Sequence, residues 1–435
     1  MNLKEEWESR GLVYQFSDEK LFDAYNKGGE KFYIGFDPSA DSLQIGNMFS
    51  VMAAIHLMKY GNKCYFLVGG ATGMIGDPSL KDAERSFLSE EQLRHNEQSI
   101  YNQLKTFLNN IKKNYDIDFD YEMVNNYDFF KGMDYLKFLR EVGKYMTINT
   151  MIAKESVKKR ITDPDKSITY AEFSYMLIQG FDFLTLFDKY GVKMQLGGSD
   201  QRGNVTTGME LIRKKLDKEA FCMTIPLVTD ASGAKYGKSA GNAVRVDRTK
   251  NSPYFVYQFF MNAEDELIGK LLKVFSLKSV EEIDEIVAKH NEKPELRYGQ
   301  KELASRVVEV LFGKEAVIQA EKISKVLFGG ENIMDTIKGF NESDLDALAV
   351  ETGGINVKES GIGNLESGIK VLDMFTEVGL TSSNGDAKKM IQSASLFINE
   401  EKISNPQMII SKENFVNGIL LLRKGKKQFK VVRLG

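Results

Sequence analysis

The chain has 435 residues and a formal net charge of −3, with 42% hydrophobic and 27% charged residues. This length predicts two or three domains, and the charge argues against a protein that binds nucleic acid over its whole surface. Two cysteines without a Cys-x-x-Cys pair argue against a disulfide framework and a thiolate metal site. The N-terminus does not read as a signal peptide and no apolar run is long enough to span a membrane, so we expect a cytoplasmic protein.

Strands and helices alternate through the first half of the chain. Short apolar runs predict strands at 31–36, 63–68, 119–124, 194–196 and 221–228. Capping sequences and apolar periodicity predict helices at 46–60, from 90 onward, at 170–187 and at 204–216. This order predicts an α/β fold, with a Rossmann-like parallel-sheet domain over residues 1–250.

The second half of the chain changes character. It predicts an α-helical domain over 251–350, a glycine-rich linker at 351–365 and a small α+β domain at 366–435. This last domain carries eleven Lys/Arg and seven Asp/Glu, so the rest of the chain is acidic. A polyanion partner would suit the basic tail, although charge alone favours a solvated, lysine-rich terminus.

Residues 33–47 join a predicted strand to a predicted helix. In open α/β sheets, ligands bind at the carboxyl ends of the strands. Strand alternation places Tyr33, Gly35 and Asp37 on one side, directly before a helix N-terminus that suits a phosphate. An ordinary strand–turn–helix junction explains the same pattern equally well.

Two further segments combine glycine with cations. Residues 69–85 form a glycine-rich loop after a strand, and its Lys81 and Arg85 have the reach to contact phosphates. Lys235 and Lys238 lie three residues apart in a polar loop with Gly and Ser, a pattern that suits a cationic clamp for phosphates. Each segment alone is a weak signal, because glycine-rich turns and lysine-bearing surface loops are common.

A polar stripe is predicted on the helix that starts at 170. Tyr175, Gln179 and Asp182 are spaced i, i+4, i+7 and therefore share one helical face. If the stripe is buried, each group needs a partner, which a polar ligand would supply. Spacing alone favours a stripe that faces solvent. Another strand–glycine–helix junction follows at 195–204.

Together and in this order, these segments resemble the bacterial-type tyrosyl-tRNA synthetases, a family of class I aminoacyl-tRNA synthetases. The resemblance covers nearly the whole chain and rests on five motifs: Tyr-x-Gly-Phe-Asp-Pro-x-Ala-Asp-Ser-Leu, Gly-Gly-Ala-Thr-Gly-Met-Ile-Gly-Asp-Pro, Glu-Phe-Ser-Tyr, Gly-Gly-Ser-Asp-Gln and Lys-Tyr-Gly-Lys-Ser. It implies a ligase that activates L-tyrosine with ATP to tyrosyl-adenylate and transfers the tyrosyl group to the 3′ end of tRNA(Tyr).

The resemblance also implies an assembly and a domain plan. It makes 1–250 the catalytic domain, 251–350 an anticodon-side domain and 366–435 an RNA-binding domain. It implies a homodimer with an interface near 130–165. Mg²⁺ is expected to arrive with ATP, because the sequence shows no protein cage for a metal.

The resemblance assigns roles residue by residue. The catalytic set is Gln44, Asn47, Lys81, Arg85, Lys235 and Lys238. The tyrosine-binding set is Tyr33, Asp77, Asn126, Tyr175, Gln179, Asp182 and Gln195, with Tyr33 and Asp182 at the phenol. The ATP-binding set is Gly35, Asp37, Ser39, Gln44, Gly46, Asn47, Gly198, Asp200, Gln201, Lys235, Lys238 and Ser239, and no residue is assigned to a metal.

The chain departs from the family pattern at the class motif His-Ile-Gly-His. Gln44 and Asn47 replace both histidines, and their amides can still donate hydrogen bonds to phosphate or ribose oxygens. Arg202 and Phe129 stand where tryptophan is frequent. The histidines of this chain lie elsewhere and are expected to be structural or at the surface: His56, His95 and His290.

Three alternatives remain open from the sequence. Another class I synthetase, such as a tryptophan enzyme, would not need a carboxylate at Asp182. An amino-acid-activating relative that ignores tRNA would need neither the helical region nor the basic tail. A catalytically weakened, synthetase-like RNA-binding protein would tolerate the lost histidines, although the intact Lys-Tyr-Gly-Lys-Ser loop favours a ligase.

Overall fold

The computed structural model describes residues 1–78, 88–163, 165–229, 236–239, 242–328, 333–356, 368–425 and 428–434. For Ser156, Lys238, Ser239, Asn242 and Asn356 only the backbone is described. The chain folds as two compact units. Unit 1 contains Met1–Ser252 and Phe259–Gly313, and unit 2 contains Pro253–Gln258 and Lys314–Gly435.

A six-stranded sheet forms the centre of unit 1. Its strands are β1 (Gln15–Phe16), β2 (Lys31–Phe36), β3 (Lys63–Val68), β4 (Tyr121–Asn125), β5 (Met194–Gly198) and β6 (Phe221–Ile225). They lie in the order β1-β6-β5-β2-β3-β4, and all neighbours are parallel except β1, which is antiparallel to β6. After β6, the short strands β7 (Lys238–Ser239) and β8 (Asn242–Ala243) form a separate antiparallel pair. The predicted α/β fold with a parallel sheet is confirmed.

Helices cover this sheet and continue to residue 312. They are α1 (Leu3–Ser9), α2 (Lys20–Asn26), α3 (Ile45–Met58), α4 (Thr72–Ile75), α5 (Glu90–Tyr115), α6 (Tyr127–Phe130), α7 (Tyr135–Glu141), α8 (Ile148–Ile152), α9 (Glu155–Thr162), α10 (Tyr170–Tyr190), α11 (Arg202–Leu216), α12 (Pro253–Met261), α13 (Asp265–Phe275), α14 (Val280–Glu292) and α15 (Tyr298–Phe312). Helix α12 spans the division between the units.

Capping residues set where the long helices begin. Thr169 forms a capping box with Glu172 at the start of α10, as predicted, and Gly191 ends the helix in the left-handed conformation. Ser89 caps α5 by accepting a hydrogen bond from the N–H of Gln92. Within the described ranges, no helix has the length and apolar character needed to cross a membrane.

Unit 2 is built on a five-stranded sheet. Its strands are β9 (Ile355–Asn356), β11 (Leu396–Ile398), β12 (Glu401–Lys402), β14 (Ile419–Lys424) and β15 (Gln428–Arg433), in the order β12-β11-β14-β15-β9. A two-stranded sheet pairs β10 (Ile369–Lys370) with β13 (Ile409–Ile410). The helices are α16 (Lys314–Phe328), α17 (Ile333–Lys338), α18 (Glu342–Thr352), Val371–Glu377 and Asn384–Gln392.

Strand β14 contributes to two hydrophobic cores, one on each face of this sheet. Leu420 and Leu422 pack with the helices that follow residue 370. Ile419 and Leu421 point to the other face and pack with α16, α17 and α18. The helices between 314 and 352 therefore share a core with the C-terminal sheet.

The predicted linker, 351–365, lies mostly outside the described residues. Its described part ends α18 at Thr352 and then adds β9 beside β15, with Ile355 opposite Val432. The domain boundaries at 250, 350 and 366 remain predictions.

Candidate functional site

A cavity of about 350 Å³ opens at the carboxyl ends of β2 and β5, where the strand order reverses. Ligands bind at such switch points in open α/β sheets, in cavities of about 300–1,000 Å³. Most of the predicted site residues line it: Tyr33, Gly35, Asp37, Ser39, Gln44, Gly46, Asn47, Asp77, Tyr175, Gln179, Asp182, Gln195, Gly198, Asp200 and Gln201.

Six predicted site residues do not appear in that lining. Asn126 lies behind the cavity, fully buried. Lys81, Arg85 and Lys235 lie outside the described residues, and Lys238 and Ser239 are described by backbone alone.

The lining also contains residues that sequence reasoning did not single out. They are Ile34, Phe36, Phe49, Ser50, Leu67, Thr72, Leu196, Gly197, Ile225, Pro226, Leu227, Val228 and Tyr236. Several belong to strands predicted as buried, so their apolar character gave no separate signal. Thr72 and Gly197 fall inside motifs that the sequence had identified without assigning these residues a role.

The polar stripe of α10 is buried. Tyr175 is 4% exposed and Asp182 is 1% exposed, and both line the cavity together with Gln179. A solvent-facing stripe, which spacing alone favoured, is therefore excluded. The stripe places two hydroxyl- or carboxyl-bearing groups and one amide along one wall of the cavity.

A chain of hydrogen bonds joins this stripe to the end of β2. Asn126 donates through Nδ2 to Asp182 Oδ2 at 2.9 Å and to Thr72 Oγ1 at 3.1 Å. Thr72 donates to Asp37 Oδ1 at 2.6 Å, and the Tyr175 hydroxyl donates to Asp37 Oδ2 at 2.7 Å. Two of the cavity carboxylates, Asp37 and Asp182, are thus held by neighbours that lie far away in the sequence.

The glycine-rich loop is shaped by this network. A Cβ atom on Gly69 would lie 2.2 Å from Asp37 Oδ1 and 2.3 Å from Thr72 Oγ1. Any side chain at this position would therefore displace the bond between Thr72 and Asp37. The glycine lets the loop approach the end of β2, which is the reason for the motif at this point.

Four buried polar atoms of the cavity have no hydrogen-bond partner among the described residues. They are Tyr33 Oη, Gln179 Oε1, Asp182 Oδ1 and Gln195 Oε1. Each such atom costs about 1–3 kcal/mol when it stays unpaired. Buried polar groups are nearly always paired, so the four atoms indicate that a polar ligand completes this cavity.

Burial and neighbouring charges shift the ionisation of the cavity walls. Burial, with help from the Asp182 carboxylate, raises the pKa of Tyr33 well above its usual range. Burial, with Asp37 and Asp77 nearby, does the same to the pKa of Tyr175. Burial raises the pKa of Asp182 well above that of a free carboxyl, and Asp37 adds to the shift against the hydrogen bond from Asn126. The two phenols are therefore neutral hydrogen-bonding groups at physiological pH.

A second polar cluster lies where the glycine-rich loop meets the start of α11. Gln201 donates through Nε2 to Asp77 Oδ2 at 2.6 Å. Asn204 donates through Nδ2 to Asp77 Oδ1 at 3.4 Å and to Gln201 Oε1 at 3.1 Å. Asn204, which the sequence had placed only in a junction, helps to orient Asp77 at the rim of the cavity.

The class motif lies at the start of α3. The backbone N–H of Gln44 donates to Asn47 Oδ1 at 3.0 Å, which orients the Asn47 amide at the first turn. The Ile45 N–H donates to the carbonyl of Val244 at 3.0 Å, so the segment after the lysine loop is attached to the same turn. Gly237 has φ +104°, and a Cβ atom at this position would lie 3.4 Å from the Gly46 nitrogen, so the base of the lysine loop lies close to the class motif.

The histidines take no part in this site. His56 is buried and its Nε2 pairs with the carbonyl of Val274 at 3.0 Å, and burial lowers its pKa to about 3. His290 is buried beside Asp265, and His95 is exposed on α5. The structural or surface roles expected for these residues are confirmed.

A family model of a known enzyme class matches most of the chain. Residues 26–329 match the family model described as tRNA synthetases class I (W and Y). The chain is therefore a class I aminoacyl-tRNA synthetase of the group that serves tryptophan and tyrosine.

Two further comparisons distinguish the tyrosine enzymes from the tryptophan enzymes of this class. Residues 356–432 match the family model described as the tyrosine–tRNA ligase SYY-like C-terminal domain. A tyrosine–tRNA ligase of Streptococcus pyogenes serotype M3 (strain ATCC BAA-595 / MGAS315) is 42% identical, covering 99% of this chain and 100% of its own length. The chain belongs to the tyrosine–tRNA ligase family.

Solved structures agree with this membership. A C-terminally truncated mitochondrial tyrosyl-tRNA synthetase of Aspergillus nidulans superposes with a TM-score of 0.68 at 28% identity, covering 74% of this chain and 93% of its own. The equivalent protein of Coccidioides posadasii gives 0.65 at 29% identity, covering 73% and 90%.

Proposed function

We propose that this tyrosine–tRNA ligase activates L-tyrosine with ATP in the cavity between β2 and β5, and then transfers the tyrosyl group to the 3′ end of its tRNA. The observation that carries the proposal is the set of four partnerless polar atoms in one buried cavity. Two of them suit a phenol at one end, and the others suit the polar groups of an amino acid. A tryptophan enzyme would leave the phenol pair without a use.

The phenol end is formed by Tyr33 and Asp182. A tyrosine phenol can donate to Asp182 Oδ1 and accept from the Tyr33 hydroxyl, which satisfies both partnerless atoms. Phenylalanine would leave both unpaired, and each unmade bond costs about 1–3 kcal/mol. Selectivity for tyrosine thus follows from groups that are already buried before the substrate binds.

The opposite end suits the α-ammonium group. Gln179 Oε1 is a partnerless acceptor, and the Tyr175 hydroxyl is held by Asp37 at 2.7 Å. Asp77, oriented by Gln201, adds a carboxylate at the rim. These acceptors suit a cation with three N–H donors.

ATP binding is assigned to the rim around the start of α3. The helix N-terminus and the amides of Gln44 and Asn47 offer N–H donors for phosphate or ribose oxygens. By family resemblance, the phosphate cations are Lys81, Arg85, Lys235 and Lys238. The tyrosine carboxylate attacks the α-phosphorus of ATP and pyrophosphate leaves. The tRNA ribose hydroxyl then attacks the acyl carbon of the adenylate, the acyl–phosphate bond breaks, and AMP leaves. Such transfers depend on positioning and on stabilising phosphate charge.

Mg²⁺ is proposed to enter with ATP. Among the described residues, no group of three or more His, Cys, Asp and Glu side chains is arranged to hold a metal ion. The cavity carboxylates Asp37 and Asp77 are engaged by protein donors. The ion would bind mainly the phosphates and neutralise their charge.

The C-terminal domain, residues 366–435, is proposed to bind tRNA through some of its cations and not others. Arg423 forms a bidentate pair with Glu400, Arg433 pairs with Glu342 and Asp346, and Lys430 donates to the carbonyl of Gly353. These side chains hold the domain together.

Two other lysines of this domain suit the nucleic acid better. Lys388 and Lys389 are exposed on the helix Asn384–Gln392, and neither side-chain amine forms an ion pair or hydrogen bond with a described residue. Lys424 and Lys389 both act electrostatically on Asp386, so these two cations lie near each other. Phosphate contacts from such cations dominate RNA affinity.

A homodimer is proposed from an exposed apolar surface. Tyr135, Leu136, Ile148, Ile161 and Tyr170 are 60%, 74%, 58%, 47% and 64% exposed. A concentration of exposed large apolar side chains in one part of the sequence supports an interaction site there. It overlaps the predicted interface at 130–165, and light scattering of the purified protein tests the dimer directly.

A cytoplasmic location is proposed as well, because both cysteines are free and buried, as a reducing compartment allows.

The direct test is ATP–pyrophosphate exchange with each of the twenty amino acids in the presence of Mg²⁺. Exchange that depends on tyrosine alone is expected. Exchange with tryptophan but not tyrosine would overturn the assignment of the cavity.

A further inference from the structure

Arg160 and Glu172 form a buried ion pair outside the cavity. Their side chains are 4% and 3% exposed. The guanidinium is bidentate, with Nη1 to Oε1 at 2.9 Å and Nη2 to Oε2 at 3.1 Å. Nη2 also donates to the backbone carbonyl of Ser167. One side chain of α9 thus holds both the segment before α10 and the first turn of α10.

Glu172 lies in line with the tyrosine-binding side chains. It precedes Tyr175, Gln179 and Asp182 by three, seven and ten residues, which places all four within about 80° around the helix at about 100° per residue. Glu172 also completes the capping box with Thr169. Arg160 binds the Glu172 carboxylate, and this carboxylate fixes both the first residue of α10 and the rotation of the helix about its axis.

Stability alone does not account for this pair. Removing two charges from water is so costly that apolar replacements of a buried ion pair are often neutral or stabilising. In addition, Arg160 Nε is buried without a partner among the described residues, which costs about 1–3 kcal/mol. The geometry of the pair fixes the position of α10, whereas its net contribution to the free energy of folding is small.

We propose that Arg160, acting through Glu172, is a positioning residue for the tyrosine subsite. Turning a helix by about 10° moves a side-chain tip at its surface, about 5–6 Å from the axis, by about 1 Å. A displacement of about 1 Å at a reacting centre costs up to about 100-fold in rate. Such a turn would break the 2.7 Å bond between the Tyr175 hydroxyl and Asp37. The inference rests on the proposed function, because it concerns the same subsite.

The test replaces the pair without leaving a lone buried charge. In the double variant Arg160→Met/Glu172→Gln, the amide can still complete the capping box. We expect urea unfolding to give a free energy equal to or above that of the wild type. In tyrosine-dependent exchange we expect the KM for tyrosine to rise at least tenfold and the KM for ATP to change less than twofold. Arg160→Lys, which keeps the charge but loses the bidentate fork, should fall between the two proteins.

A matched control exists in unit 2. Lys322 donates to Asp344 Oδ2 at 2.7 Å, and Asp344 completes the capping box of α18 as Glu172 does for α10. The variant Lys322→Met/Asp344→Asn should leave the KM for tyrosine unchanged. All proteins are compared at a concentration where light scattering gives the same mass.

The outcomes separate the two proposals. If the wild type shows tyrosine-dependent exchange and the Arg160/Glu172 variant keeps its KM for tyrosine, the positioning role is overturned. If both KM values rise together, the pair stabilises the whole cavity and the positioning role is again overturned. A wild type without tyrosine-dependent exchange contradicts the proposed function itself.

Discussion

Replacing Asp182 by asparagine should weaken catalysis and stabilise the ligand-free fold at the same time. In the structure, Asp182 Oδ2 accepts from Asn126 at 2.9 Å, whereas Oδ1 is buried without a partner. An asparagine of the same shape keeps the first bond, because its amide oxygen can occupy the Oδ2 position. It presents an N–H donor where the substrate phenol should find a charged acceptor.

The two effects have opposite signs and comparable sizes. A hydrogen bond to a charged group contributes about 1.5–3 kcal/mol, so Asp182→Asn should lower kcat/KM for tyrosine by about 10- to 150-fold. Removing a buried, unpaired carboxylate should raise the free energy of unfolding of the ligand-free protein by about 1–3 kcal/mol near pH 8.

The stability gain should depend on pH. Burial and the nearby Asp37 raise the folded-state pKa of Asp182 above its unfolded value, which lies near 4. Between these two values the folded state binds more protons than the unfolded state. The contribution of this carboxyl to stability is therefore complete below about pH 4 and is lost as pH rises through the folded-state pKa. The advantage of the asparagine variant should be smallest near pH 4 and grow toward pH 8.

Two assays test this prediction together. Pyrophosphate exchange gives kcat/KM for tyrosine, and urea unfolding without ligand gives stability at several pH values. Asp188→Asn, a change near the end of α10 outside the cavity lining, serves as the control. A variant that activates tyrosine normally, or that loses stability at pH 8, would refute the reasoning.

Three further predictions concern the loops and the tail. Lys238→Ala should lower the single-turnover rate of adenylate formation far more than it weakens tyrosine binding, because its partner charge develops in the transition state; equal losses would contradict this role. Lys388→Ala/Lys389→Ala should weaken tRNA binding and reduce its salt slope by about 1 per lysine. Lys20→Ala/Lys27→Ala, which removes the same charge from the first residue of α2 and the residue just after its end, should not. Truncation after Gly313 should preserve tyrosine-dependent exchange and abolish efficient charging. Truncation after residue 365 should instead expose the apolar face of α16–α18, so this variant should bind more of a hydrophobic dye than the full-length chain. Dye binding equal to that of the full-length chain would argue against the shared core.

Local sequence patterns predicted the elements that position the site. The strands 31–36 and 63–68 were predicted with the bounds that the structure shows, because each is an apolar run that ends at a turn residue. The capping box at Thr169 fixed the start of α10, and i, i+4, i+7 spacing placed Tyr175, Gln179 and Asp182 on one face. Spacing does not show burial, so it cannot distinguish a polar stripe that lines a cavity from one that faces solvent.

Hydrogen-bond partners that lie far apart in the sequence could not be predicted from local sequence patterns. Thr72 links Asp37 and Asn126, which lie 35 and 54 residues away, and nothing in its own segment distinguishes it from another small loop residue. Charge counts similarly grouped all cations of the tail, although Arg423 and Arg433 bind carboxylates of their own unit.

The partner of an amphipathic helix is a further property that pattern does not show. Apolar periodicity shows that α16, α17 and α18 each bury one face. It does not show which part of the protein covers that face. In the structure that face packs on the C-terminal sheet through Ile419 and Leu421. The fading of strand signals after residue 252 indicates a change of composition, and the domain boundary placed there stays a prediction.

The measurement that tests the account most directly is a crystal structure of the full-length protein with L-tyrosine bound. We predict the phenol oxygen within hydrogen-bond distance of both Tyr33 Oη and Asp182 Oδ1, and the ammonium group within that distance of Gln179 Oε1. The bond from Tyr175 to Asp37 should remain. Tyrosine bound in the reverse orientation, or outside the cavity with the four atoms still unpaired, would contradict the account.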